Sequence, residues 1–272
     1  MARALEAAGF ESLWVTDHIV LPEKIESFYP FAADGKATWP TTTPYFDALI
    51  ALALMAAVTE RATLGTAVLV LPLRHPVVFA KEAASIDVAS GGRLLLGVGA
   101  GWLEEEFDAL GVPFEGRGGR LAEWMAIARD CWTGRPAERS SERYSLPAGI
   151  LALPTPAQEI PFLMGGHSPA ALRRAGKLAG GWLAQQSLLE LDPGALAVGA
   201  AAMRESAAEA GRDAADTRVV LRLIDSAGRA DEIARALPAL AAAGVDEIIV
   251  NVDWERDDHA DELARMRAAQ PA

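Results

Sequence analysis

Seven short apolar runs, each followed by a longer helical pattern, constrain this chain more than any other feature of it. The runs are β-branched or leucine-rich and lie near residues 13, 65, 95, 162, 182, 220 and 249. The stretches between them are longer, alanine-rich and amphipathic. Strand–helix alternation of this kind predicts a parallel sheet with helical crossovers. A doubly wound sheet usually needs fewer repeats, whereas seven or eight units suit a closed barrel. The expected class is α/β, a TIM-type (β/α)8 barrel.

Strands are predicted at 13–16, 62–70, 93–98, 161–164, 181–184, 218–224 and 246–252. Helices are predicted at 4–8, 45–59, 76–90, 103–110, 121–132, 169–178 and 230–243, with a long one ending near Gly211 and a last one at about 258–268. Thr43-Pro44 is expected to cap the second helix. Composition does not shift sharply anywhere, so residues 1–272 read as one domain. Two stretches fall outside the alternation. Residues 21–43 form a long loop with Phe28, Tyr29, Phe31, Trp39 and several prolines. A loop of that length is functional or disordered, and its aromatic content argues against disorder. Residues 134–159 read as an irregular insertion with a short hairpin.

The 51% hydrophobic content is ample for a core, and the net charge of −12 argues against non-specific nucleic-acid binding. The single cysteine, Cys131, rules out an intrachain disulfide or a thiolate zinc site and reads as a core residue. Residues 1–6 lack the pattern of a signal peptide, and no apolar run is long enough to span a bilayer. The expectation is a soluble, cytoplasmic protein without a membrane or nucleic-acid partner.

A barrel of this type builds its site where strands end. The first run ends in Asp17-His18, and histidine is a natural acid–base group near neutral pH. The second contains Gly65-Thr66-Ala67-Val68, small enough for a flat ring to approach the backbone. The third leads into Gly97-Val98-Gly99-Ala100-Gly101-Trp102. Glycines at alternate positions allow close ligand approach, but Trp102 breaks the GxGxxG pattern, so a Rossmann assignment fails. The fourth ends in Gly165-Gly166-His167-Ser168-Pro169, a capped helix start that suits an anion. Each segment also has a plain structural reading, as cap, strand or turn. The four histidines show no metal-ligand spacing, and neither a nucleophile elbow nor a P-loop is present. A cofactor that brings its own chemistry fits better than protein-only catalysis.

These segments together resemble the bacterial-luciferase-like monooxygenase family. The resemblance is carried by Gly9–His18, Thr59–Val68 with Leu71–Pro76, Ser90–Arg93 leading into Leu96–Trp102, Phe107–Pro113 with Arg117, and Pro161–His167. It covers roughly residues 9 to 184 in the family's order; the last third matches in pattern only. The aromatic loop and its Trp39-Pro40 look closest to the branch that uses coenzyme F420, a deazaflavin. The resemblance implies His18 as the catalytic group, paired with Asp17. It implies Ala67 and Val68 as a bulge behind the ring, often with a non-proline cis peptide, and Gly99, Ala100 and Gly101 at the ring's border. Gly165, Gly166, His167 and Ser168 would form the phosphate turn. It further implies a small-molecule substrate and a homodimer. Two departures stand out. Relatives that oxidise sugar phosphates carry an acid where this chain has Trp102, and the family's strand before its first helix is not found, so the first barrel strand is expected to be lacking. A flavin mononucleotide (FMN)-dependent monooxygenase and a non-catalytic ligand-binding barrel stand as alternatives.

Overall fold

The computed structural model describes residues 1–32, 34–37, 39–255 and 259–268. In chain order the elements are α1 (Ala2–Ala7), β1 (Ser12–Val15), α2 (Ala48–Ala56), β2 (Thr63–Val70), α3 (Pro76–Ser90), β3 (Leu94–Gly99), α4 (Glu104–Ala109), α5 (Arg117–Trp132), β4 (Arg139–Ser140), β5 (Ser145–Leu146), β6 (Phe162–Gly165), α6 (Pro169–Leu178), β7 (Gly181–Ser187), α7 (Pro193–Glu209), β8 (Arg218–Ile224), α8 (Ala230–Ala242), β9 (Glu247–Val250) and α9 (His259–Ala268). All seven expected strands are found, and β4–β5 is the short hairpin of the insertion. Helices α3 and α6 begin and end where the sequence predicts. Asp258, expected to open the last helix, lies outside the described residues.

Helix α2 departs from expectation at its start. Thr43 does not cap it; its hydroxyl donates instead to the Pro40 carbonyl at 2.7 Å, closing a turn. The cap is Asp47, whose Oδ1 accepts the N–H groups of Leu49 (2.9 Å) and Ile50 (3.1 Å). A carboxylate satisfies two of the orphaned N–H groups at once. Its second oxygen remains free to meet Arg74 at 2.8 Å.

The chain divides into two compact units, Val15–Pro161 and Met1–Trp14 with Phe162–Ala272. In the Val15–Pro161 unit, β2 and β3 run parallel, from Leu64 opposite Leu94 to Val70 opposite Gly99. The register shifts between Thr66 and Leu69, where the Ala67–Val68 peptide is cis. Leu64, Leu69, Phe79, Leu96, Leu121 and Met125 are fully buried around this pair. Cys131 is buried, as expected. Buried Asp87 on α3 holds the insertion by accepting the Ala157 N–H at 2.8 Å. In the other unit, β6, β7, β8 and β9 form a parallel ladder, with Met164 opposite Trp182, Trp182 opposite Val219 and Val220 opposite Glu247. Glu247 accepts from Ser12 Oγ (2.5 Å) and Arg218 Nη2 (2.8 Å), joining the start of β1 to β8 and β9. No helix among the described residues is long and apolar enough to cross a membrane.

Arg93 closes the turn between α3 and β3. Its guanidinium donates to the carbonyls of Ser90 (2.7 Å), Ala62 (2.6 Å) and Thr59 (2.9 Å) and to the Thr59 hydroxyl (3.0 Å). Hydrogen bonds to a charged group are each worth about 1.5–3 kcal/mol, and the carbonyls left behind would be poorly solvated. Arg93→Met is therefore expected to cost about 2–4 kcal/mol in chemical denaturation. A loss below about 0.5 kcal/mol, the level of an ordinary surface substitution, would contradict the assignment.

Candidate active site

Strand β1 delivers Asp17 and His18 at its C-terminal end. Asp17 is 4% exposed, and both its oxygens are engaged. Oδ2 accepts the Val70 N–H at 3.0 Å, and Oδ1 accepts Arg74 Nη2 at 2.7 Å. Arg74 thus lies between Asp17 and Asp47 and joins the end of β1 to the start of α2. Burial pushes the Asp17 carboxyl above the usual range, and the Arg74 charge and Val70 N–H oppose that shift without cancelling it. For Asp47, burial pushes up as well, but the Ile50 N–H and Arg74 outweigh it and hold the carboxyl below its ordinary value.

His18 has a different partner. Its Nδ1 lies 3.0 Å from Oε2 of Glu106, which is 1% exposed. The other Glu106 oxygen accepts the N–H groups of Ile19 (2.6 Å) and Val20 (3.3 Å). A carboxylate only accepts, so the imidazole donates from Nδ1, and Nε2 carries the lone pair in the neutral ring. Helix α4 supplies this group because it is phased by Phe107, fully buried in a cluster with Val70 and Leu73. Glu105, one position earlier, holds the following loop instead. It accepts the N–H groups of Glu26 (2.6 Å) and Ser27 (3.0 Å) and the Ser27 hydroxyl (2.5 Å).

Aromatic rings surround His18. The ring centroids of Tyr45, Trp102 and Trp39 lie at 5.5, 6.2 and 6.4 Å. Tyr29 packs edge-on against Trp102 (4.9 Å) and Trp39 (5.0 Å). Edge-to-face pairs at these separations are favourable beyond their burial. The described part of the aromatic loop thus folds onto His18, with Tyr29 buried and Phe28 at the surface.

The glycines after β3 have packing reasons for their identity. A Cβ on Gly99 would come within 2.6 Å of Val68 Cγ2. One on Gly101, where φ is +88°, would strike Phe107 at 2.6 Å. Close approach is therefore required, but by the side chain of Val68 and by Phe107. Ala100 between them is half-buried.

In the other unit, Gly165 and Gly166 lead from β6 into α6. Ser168 is the cap, its Oγ accepting the Ala171 N–H at 3.2 Å, with Pro169 at the first position. Trp182 Nε1 donates to the Gly166 carbonyl at 2.9 Å, and His167 Nε2 accepts the Gln185 N–H at 3.0 Å. The His167 side chain keeps an exposed edge, yet partial burial against Trp182 pushes its pKa below the ordinary value, outweighing an opposing backbone contact with Gln185.

Asp17, His18, Ala67, Val68, Gly99, Ala100 and Gly101 therefore belong to the Val15–Pro161 unit, and Gly165, Gly166, His167 and Ser168 to the other. Sequence reasoning missed Glu106, Arg74 and Asp47. Glu106 is one of three consecutive acids opening a helix, and only the helix phase singles it out. Among the described residues, no group of three or more His, Cys, Asp and Glu is arranged to hold a metal ion.

The model of the luciferase-like monooxygenase family matches residues 1–271, and the chain belongs to that family. An uncharacterized protein of Mycobacterium tuberculosis is 39% identical over 183 residues, 67% of this chain and 63% of that protein. The F420-dependent glucose-6-phosphate dehydrogenase of Nakamurella multipartita is 32% identical over 187 residues, 67% of this chain and 50% of the dehydrogenase. These alignments thus span less than two thirds of either relative's length. Among solved structures, an F420-dependent secondary alcohol dehydrogenase superposes with a TM-score of 0.78 at 17% identity, covering 99% of this chain and 92% of that one. That likeness gives the fold, an α/β barrel of the TIM type with seven parallel strands.

Two outcomes follow from the geometry. In Glu106→Gln, the amide oxygen is expected to keep the Ile19 and Val20 N–H groups while its NH2 faces His18. Nitrogen-15 NMR should then find the neutral His18 ring moved from the Nδ1–H to the Nε2–H tautomer, with stability reduced by about 1–3 kcal/mol. An unchanged tautomer would contradict the pairing. For His167, the native pKa lies below the reference of about 6.5. The unfolded chain therefore takes up the proton first, and stability falls as pH drops from about 7 through 6.5 towards the native value. An NMR titration giving His167 an ordinary or raised pKa would refute this.

Proposed function

We propose that the chain is an oxidoreductase that uses coenzyme F420 for hydride transfer to or from a small organic substrate. The observation that carries this reading is the His18–Glu106 pair within its ring of aromatic side chains. Glu106 fixes the ring through Nδ1, so Nε2 is the nitrogen left to take or return a substrate proton. A histidine in such a role contributes typically about 10²–10⁴-fold to rate. Asp17 has both oxygens occupied, and we assign it the holding of His18's backbone rather than proton transfer.

The residues suit an organic cofactor. The capped start of α6, with Gly165, Gly166, His167 and Ser168, offers N–H groups of the kind that bind a phosphate. Ala67, Val68, Gly99, Ala100 and Gly101 are assigned to the border of a flat ring. When bound, the deazaflavin supplies the hydride acceptor or donor; the protein orients the substrate, excludes water and manages the proton. The glucose-6-phosphate dehydrogenase relative supports F420 as the cofactor. Its sugar-phosphate substrate is not carried over, because Trp102 stands where such relatives carry an acid. A homodimer, which the resemblance implies, and a cytoplasmic location, which the residue pattern suggests, complete the proposal.

A second reading, an FMN-dependent monooxygenase, is favoured by the family's own description. Titration with oxidised and reduced deazaflavin and with FMN separates the two. The proposal expects tight deazaflavin binding and weak FMN binding; the reverse would establish the second reading, and binding of neither would sink both. His18→Ala is expected to retain cofactor binding and to lose about 10²–10⁴-fold in turnover. Unchanged turnover would remove His18 from the chemistry.

A further inference from the structure

We propose that Arg173, Arg174 and Lys177 on α6 form an oxyanion-binding subsite that takes a carboxylate or phosphate group. Helix α6 turns its apolar side to the protein: Ala171, Leu172, Ala175 and Gly176 are buried. A Cβ on Gly176 would come within 2.2 Å of the Met203 carbonyl on α7, so the two helices touch there. The rest of the helix carries three bases and no acid. Arg173 and Lys177 are exposed and four residues apart, and Arg174 is half-buried beside them. Like charges at that spacing on a helix repel.

Among the described residues, no ion pair involves any of the three. The Nε atom of Arg174 is buried and has no hydrogen-bond partner. Burial and the like charge of Arg173 both push the Arg174 pKa below its ordinary value, and the guanidinium stays charged even so. Acids are not scarce in this chain, which has 37 against 25 Lys and Arg. A buried donor without an acceptor calls for a specific account, and helix capping does not supply it. Bases favour a C-terminal turn, yet Arg212 already serves that end of α6, its Nη1 donating to the carbonyls of Gly176 and Ala179, each at 2.5 Å. The missing partner is an acceptor, because a guanidinium only donates. Its planar fork matches the paired oxygens of a carboxylate or phosphate. Arg173 and Lys177 add charge beside it. The Cα of Arg174 lies about 9 Å along the helix from that of Ser168, the cap. The subsite is thus built from side chains, whereas the helix start offers backbone N–H groups.

The test uses the full chain labelled with nitrogen-15, with the Arg174 Nε–H signal assigned through its backbone. Inorganic phosphate and citrate are titrated separately, with sodium chloride at matched ionic strength as the control for screening. The proposal expects the Arg174 signal to shift saturably with phosphate, citrate or both, and not with chloride. A response to phosphate alone marks the ligand as a phosphate, and one to citrate alone marks it as a carboxylate. Replacing the flanking charges together, Arg173→Met with Lys177→Met, should weaken the binding about tenfold. An unmoved Arg174 signal, a shift that chloride reproduces, or an affinity unchanged in the double variant would overturn the proposal. The titration itself needs only the wild-type chain, so a poorly folded variant does not blunt it. No deazaflavin or FMN is added, which keeps the result independent of the functional reading.

Discussion

A buried carboxylate organises the candidate site. Glu106 is removed from water, and a charge there is tolerated only where donors replace its hydration. Three do so: the His18 ring and two consecutive N–H groups from Ile19 and Val20. The same requirement determines how the chain leaves β1. The backbone after His18 must turn so that both amides face one oxygen, and the imidazole must present Nδ1 to the other. Tautomer, ring orientation and the start of the long loop thus follow from one desolvated group.

A second charged group supports the first from below. Arg74 bridges Asp17 and Asp47, and so ties the residue next to His18 to the segment after β2 and to the cap of α2. The half-buried guanidinium is met by carboxylates from both sides, which offsets its own desolvation. Trp124 adds a donor to the Arg74 carbonyl at 2.8 Å, linking α5 to the same point. His18 therefore stands on a rigid base, while its open side is walled by rings drawn from the long loop after β1 and from Trp102 after β3. Rigid support on one side and an aromatic wall on the other is the arrangement expected where a small substrate must be oriented against a fixed base.

Much of this is legible in the sequence. The strand–helix alternation predicts all seven strands, because a strand buried among crossovers needs a continuous apolar run and a turn signal at each end. Ser168-Pro169 predicts a helix start because caps and first-turn prolines act locally. Asp17-His18 was visible as chemistry because of where it falls on a strand. Helix α2 starts later than the local signals suggest, because Thr43-Pro44 and Asp47 are both acceptable starts by local preference. The decision between them rests on Arg74, which no local rule connects to Asp47.

Sequence by itself determined the class of fold, the positions of the strand ends and the residue types offered there, since these depend on periodicity and on short-range backbone chemistry. Only the tertiary structure decided which acid meets His18. Glu104, Glu105 and Glu106 are chemically alike and adjacent, yet one is exposed, one holds the loop and one holds the imidazole. That difference comes from the rotation of α4 imposed by burying Phe107, and a helix phase of that kind depends on long-range packing that no stretch of sequence carries alone.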